Sequence, residues 1–290
     1  MRMRLVGAAA ALLSVVSVLG APLRVAAAPD AFQFSTGNPD GKMAMASRFA
    51  SAGKIAIEAA DDFVLTNETN ISNASFTGLL PTGDPLSDIQ NVGVEIYRVF
   101  PADSTTPPSG HVPTRNNSPS DHQFTEADAT AGTLTFVATT ISSSFAATNS
   151  VINGINPVPN QVTGGEGAVT GEEVRFDVTF TPALDLAADH YFFVPQVLLG
   201  NGTFLWLSAP HPIVSPGTPF SPDLQTWIRN EDLLPDWLRV GTDIVGGASP
   251  PQFNGVFSLT GTTVPASAPG PTTGPSPGSS PNPVAAQFTG

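Results

Sequence analysis

The chain lacks cysteine entirely, and only 12% of its residues are charged, about half the usual share. Without cysteine there is no disulfide scaffold, no thiol nucleophile, no cysteine zinc site and no haem attachment point. A domain of more than 200 residues can bury a sufficient core without such cross-links. Lysine is reduced to Lys42 and Lys54 in 290 residues, and the net charge is -13. Tracking phosphates or an anionic bilayer needs clustered basic side chains, so nucleic acid and acidic membrane surfaces are excluded as partners. The four histidines, His111, His122, His190 and His211, have no metal-ligand spacing. Serine is abundant, yet no Gly-x-Ser-x-Gly elbow is present.

Long apolar runs are also missing after the first twenty residues. The start Met1-Arg-Met-Arg4, the apolar run from Leu5 to Leu19 and the small residues Val25 to Ala28 have the three parts of a secretory signal. The expected signal peptide is 1–27, with cleavage after Ala27. It carries three arginines and no acid, so its removal leaves eight basic against 24 acidic residues, a net charge of -16. The chain is expected to be secreted, with no membrane span remaining. Residues 28–264 form the expected domain. Residues 265–290 are rich in Pro, Gly, Ser and Thr, the composition of a disordered tail.

Within the domain the organising stretch runs from Ile55 to Gly78. Ile55, Ile57, Ala59, Phe63 and Leu65 share one parity, the mark of a strand with one apolar face. Asp61 falls on that apolar parity, so it must be paired, bound to a cation or displaced by a bulge. Val92, Val94 and Ile96 alternate with outward Glu95 and Tyr97. Val174, Phe176, Val178 and Phe180 alternate with Arg175, Asp177 and Thr179. Leu134, Phe136 and Ala138 face inward on a further strand, and Met43 and Met45 fill one face of another. His190 to Leu199 reads as a strand buried on both faces, although Pro195 demands an edge or a bulge. Asn201-Gly202 then suits a hairpin turn into Thr203–Ser208. Pro101 to Asp121 is a long polar segment, expected to be mobile. Ser221 to Asn230 is the one expected helix, with Ser221 as cap and Pro222 in the first turn. Ten to twelve short strands without alternating long helices predict an all-β, two-sheet, jelly-roll-like β-sandwich with one short helix.

Candidate chemistry is sparse. Asp61 and Asp62 could hold a structural Ca²⁺ through hard oxygen ligands, or accept backbone N–H bonds in a kink. Glu172-Glu173, and Asp185 with Asp189, are the other acidic pairs. Adjacent acids on a strand point to opposite faces, so no doublet makes a catalytic pair by itself. Trp227 and Trp237 flank the expected helix and are the best candidates for a sugar-stacking platform. His190 reads as a strand-boundary histidine bonded to backbone.

Several segments resemble an uncharacterised family of bacterial exported proteins: Phe34-Ser-Thr-Gly-Asn-Pro-Asp-Gly-Lys-Met43, Glu58-Ala-Ala-Asp-Asp-Phe-Val-Leu65, Val94-Glu-Ile-Tyr-Arg-Val-Phe-Pro101, Asp189-His-Tyr-Phe-Phe-Val-Pro-Gln196 and Asp236-Trp-Leu-Arg-Val-Gly-Thr-Asp-Ile-Val245. The resemblance covers Phe32 to Val264. Many members of that family end in a PEP-CTERM sorting signal. The matching place here reads Val264-Pro-Ala-Ser267, with neither the apolar helix nor the basic end after it, so free secretion is the expectation. The resemblance implies export and a β-sandwich but no reaction, and therefore no catalytic residue. The leading functional expectation is a non-enzymatic extracellular module that binds matrix or glycan, its partner a polysaccharide or a surface protein. The alternatives are a hydrolase using carboxylates such as Asp62 and Glu95, and a purely structural or adhesive module.

Overall fold

The computed structural model describes residues 28–106, 109–156 and 162–265. The expected signal peptide, and all of the expected tail but its first residue, lie outside the described residues. Among the described residues, fifteen strands make two sheets. The larger contains β1 (Ala31–Ser35), β2 (Met43–Ala46), β4 (Thr69–Leu80), β7 (Leu134–Ala147), β8 (Asn149–Val151), β9 (Val169–Leu186), β11 (Leu205–Pro210), β14 (Phe253–Gly255) and β15 (Phe257–Thr263). The smaller has the order β13 (Leu238–Arg239), β12 (Trp227–Asn230), β3 (Ile57–Leu65), β10 (Asp189–Leu199), β5 (Ile89–Arg98) and β6 (Thr125–Asp128). The chain passes repeatedly from one sheet to the other, which makes an all-β two-sheet sandwich.

The inward parities meet between the sheets. Phe63 and Phe193 of the smaller sheet pack on Phe34, Phe76, Trp206 and Phe257 of the larger, and the Phe193 and Phe257 rings stack at 4.7 Å. Each such ring, taken wholly out of water, contributes about 1.5–3 kcal/mol. Met43 and Met45 are fully buried in this core, as their spacing implies.

Three expectations need correction. Asn201-Gly202 does not close a hairpin: β10 belongs to the smaller sheet and β11 to the larger. Asp88 accepts from the N–H groups of Gly200 and Asn201, and Phe204 drops among Phe76 and Phe176. The chain therefore turns across the sandwich. The helix at 221–230 is absent. The Leu224 N–H goes to the Asp62 carboxylate, and Trp227–Asn230 pair with Ala60–Ile57 as a strand; tertiary pairing overrides the local cap signal. Short helical turns occur instead at Leu86–Asp88, Glu231–Leu233 and Val240–Val245.

Pro195 sits in an inner strand, but the ladder from β10 to β3 runs only through Phe193. Beyond it the Ser47 hydroxyl accepts from Ala59 N–H and donates to the Pro195 carbonyl. The strand is thus locally an edge, and Ser47 replaces the missing rung. The third correction concerns the polar segment after Pro101, whose described residues are anchored rather than mobile. Arg115, Ser118, Ser120 and Asp121 are buried. This segment lies over the outer face of the smaller sheet, covering Tyr97, Phe192, Trp227 and Trp237, which form a second small core.

Candidate functional site

Three polar arrangements surround the smaller sheet. The first is the Asp61-Asp62 pair. With β3 unbroken, alternation sends Asp61 into the sandwich and Asp62 to the outer face; both are 0% exposed. Asp61 is bonded by the Gly255 N–H and touched by the Thr226 hydroxyl at 3.4 Å. Burial, reinforced by the Asp62 and Asp223 charges, pushes its carboxyl well above the usual range. Its Oδ2 and the Oδ1 of Asn254 have no partner among the described residues. Asp62 accepts from His190 Nε2 at 2.6 Å and from Leu224 N–H at 3.0 Å. Burial raises its carboxyl to about 6, against the opposing pull of His190. The boundary histidine is therefore not bonded to backbone through this nitrogen, as its position suggested; it holds a buried acid. No three Asp, Glu or His side chains among the described residues converge closely enough to cage a metal. Asp61 and Asp62 lie on opposite faces of β3, so their carboxylates do not converge on one cation.

The second arrangement lies further along the outer face. Glu58 on β3, Glu95 and Tyr97 on β5 and Arg229 on β12 share it. The Tyr97 hydroxyl donates to Glu95 at 2.7 Å and lies 3.2 Å from Glu58. These two carboxylate oxygens are therefore at most about 6 Å apart. Arg229 pairs with Glu58 at 2.7 Å, donates to Tyr97, and stacks 4.2 Å from the Trp237 ring. Burial and the neighbouring Glu58 charge raise Glu95 to about 7. Arg115 locks the covering segment down, joining Asp121 at 2.7 Å and Asp236 at 2.9 Å with all three side chains nearly solvent-free. Burial disfavours the Asp121 charge, but Arg115 and the Thr105 and Thr106 N–H groups outweigh it, so its pKa falls below the usual value.

The third is a concave pocket of about 440 Å³ lined by Asn116, Asn117, His211, Asp223, Gln225, Trp227, Arg239 and Gln252, among others. The side-chain amides of Asn116, Asn117 and Gln252 bond to no other described residue. Asp223 accepts from Ile213 N–H at 2.7 Å through one oxygen, while the other makes no hydrogen bond and lies 4.0 Å from His211 Nε2. Gln225 accepts from Thr242, and Arg239 is held by Asp243 at 2.7 Å. The pocket thus offers exposed amide donors and acceptors beside Trp227, with Asp223, Gln225 and Arg239 held in place by their own partners.

Against these sites the expected tryptophan platform needs correction. Trp237 is 0% exposed and Trp227 2%. Trp237 is closed in by Arg229 and donates its indole N–H to the Ser120 carbonyl. Neither ring offers an open face; Trp227 keeps only an edge at the pocket. The expected Asp62–Glu95 pairing is not formed, since Asp62 is taken by His190 and Leu224, and Glu95 by Tyr97. Glu58 carries no signal because it looks like an outward strand residue, and Arg229 because it falls in the expected helix. Asn117 and Gln252 carry no sequence signal, and Asn116 only the sequon Asn116-Asn-Ser118.

No protein-family model, curated protein or solved structure matches this chain.

Proposed function

We propose that the chain is a secreted, non-enzymatic module that binds extracellular glycan in the pocket beside Trp227. The observation that carries this reading is the unused hydrogen-bonding capacity of Asn116, Asn117 and Gln252 around one concavity, with a carboxylate, an imidazole and a guanidinium alongside. Sugar hydroxyls act as donor and acceptor together, and amide and carboxylate side chains suit them. The signal-like N-terminus, the low charge and the resemblance to an exported family support an extracellular setting. The test is a glycan array followed by calorimetric titration of a hit. Gln252→Ala and Asn117→Ala are each expected to weaken binding about tenfold, the effect of losing one or two hydrogen bonds, without moving the melting temperature. Equal affinity in both variants refutes the pocket assignment.

A second reading rests on Glu58 and Glu95. A close carboxylate pair with one member near-neutral and the other tied to arginine is the arrangement that acid–base hydrolysis of a glycosidic bond uses. It requires turnover of a polysaccharide or aryl glycoside by the purified chain, abolished by Glu95→Gln. Binding without turnover leaves the pair a structural brace.

A further inference from the structure

The fourteen residues of β7, Leu-Thr-Phe-Val-Ala-Thr-Thr-Ile-Ser-Ser-Ser-Phe-Ala-Ala, include no charge, no proline and no glycine, in a chain with 24 acidic residues. Half of them are Thr, Val, Ile or Phe, the residues that favour extended chain. β7 pairs with β9 alone, so its other edge has no strand partner among the described residues. Sheet edges are ordinarily blunted by shortness, charge, proline or a covering segment. The other end strands obey this rule: β1 has five residues, β6 four, β8 and β14 three each, and β13 two. β7 is the long exception.

We propose that β7 is a self-association edge, on which a second copy of this chain pairs antiparallel and joins the two larger sheets. The occupant follows from the sequence of the regular segment, Leu134–Thr140, which faces Phe180–Val174 without a bulge. Its outward residues are Thr135, Val137 and Thr139, all exposed, with Val137 64% exposed. A two-fold axis through Val137 places it opposite its own copy and sets Thr135 opposite Thr139 of the partner copy, in both directions. Aliphatic and threonine pairs are favourable cross-strand neighbours. The first bulge, after Thr140, ends the straight segment and confines pairing to these residues.

Charge points to the same occupant. Two strongly acidic copies can touch only where their carboxylates stay apart. The nearest acid beside the axis is Asp177, opposite Val137 on β9 and bonded to Arg175 at 2.6 Å. Across the four strands of the joined sheet, the two Asp177 positions stand about 14 Å apart, three strand spacings. That exceeds the screening length at physiological salt.

The experiment is sedimentation velocity on the purified chain over a concentration series, beside three variants. The wild type is expected at twice the monomer mass at high concentration. Val137→Lys sets two ammonium groups opposite each other and is expected to raise the dimer dissociation constant roughly tenfold or more, with an unchanged melting temperature because position 137 is exposed. Val137→Cys tests the register, in a chain that has no other thiol. Directly opposed strand residues place their Cβ atoms within disulfide reach, so mild oxidation should cross-link this variant. Val214→Cys, equally exposed elsewhere, should stay uncross-linked. A wild type that is monomeric at about 100 µM overturns the proposal and leaves the edge open to a strand of another protein. A Val137→Lys variant that dimerises like wild type, or cross-linking no faster at position 137 than at 214, also overturns it. None of these readouts depends on glycan binding.

Discussion

Glu95→Gln should stabilise this protein at alkaline pH and leave it unchanged at pH 4. Glu95 is held by Tyr97 at 2.7 Å, near Glu58, on a face closed by the segment after Pro101. Burial, then the Glu58 charge, raise its carboxyl from the ordinary 4.5 to about 7. The unfolded chain releases that proton near 4.5, and the folded chain keeps it until about 7. Between those limits the folded state binds more protons, so stability falls as pH rises. The contribution is fully present below about pH 4.5 and lost once pH has passed 7. The gap corresponds to about 3 kcal/mol. Glutamine never ionises, still accepts from the Tyr97 hydroxyl, and escapes this loss. At about 2–4 °C per kcal/mol for a domain of this size, the variant should melt about 6–12 °C above wild type at pH 8. At pH 4 the two should agree within about 1 °C. Calorimetric melts at both values decide it. A variant that melts below wild type at pH 8 would show that Glu95 is ionised and bound by Arg229, and the reasoning would fail.

Replacing Arg115 with Met should cost about 3–5 kcal/mol in urea unfolding, because Asp121 and Asp236 would be left buried without their shared cation. The same variant should open the covering segment to limited proteolysis while the sandwich stays protected. Asp61→Asn keeps the shape of a carboxyl whose pKa burial pushes well above the usual range, and should raise stability at pH 8. A chelator should leave the wild-type melt within about 1 °C, and a clear rise with Ca²⁺ would instead show a bound cation.

Strand parity made the sandwich legible. Ile57, Ala59, Phe63 and Leu65, or Val174 to Phe180, alternate because one face meets the other sheet, and that signal is local. What decided which strands pair was not local. The Asn201-Gly202 turn has hairpin chemistry, but Asp88 takes the preceding N–H groups and Phe204 has a place in the opposite layer. Ser221-Pro222 resembles a helix start, but β3 has a free edge that Trp227–Asn230 fills. In both places a contact more than a hundred residues away outweighs a cap or turn preference of about 1 kcal/mol.

The outer face of the smaller sheet was the hardest part to read, for a physical reason. Outward residues of an antiparallel sandwich normally meet water, so Glu58, Glu95 and Tyr97 look like solvated surface in the sequence, and Arg229 falls in the expected helix. Tyr97 and Arg229 are buried and Glu58 and Glu95 half-buried because the covering segment lies across them, and within that segment the lone buried aliphatic Val112 gives little sign of it. Its anchor is Arg115 between two aspartates, one of them 121 residues away. An ion pair excluded from water is a poor source of net stability compared with apolar packing. It does, however, fix one position for a segment that is too polar to be placed by hydrophobic contact. The same segment carries Asn116 and Asn117 to the rim of the pocket. If Arg115 sets that position, its loss should weaken glycan binding even in molecules that remain folded, whereas loss of Gln252 should weaken binding alone.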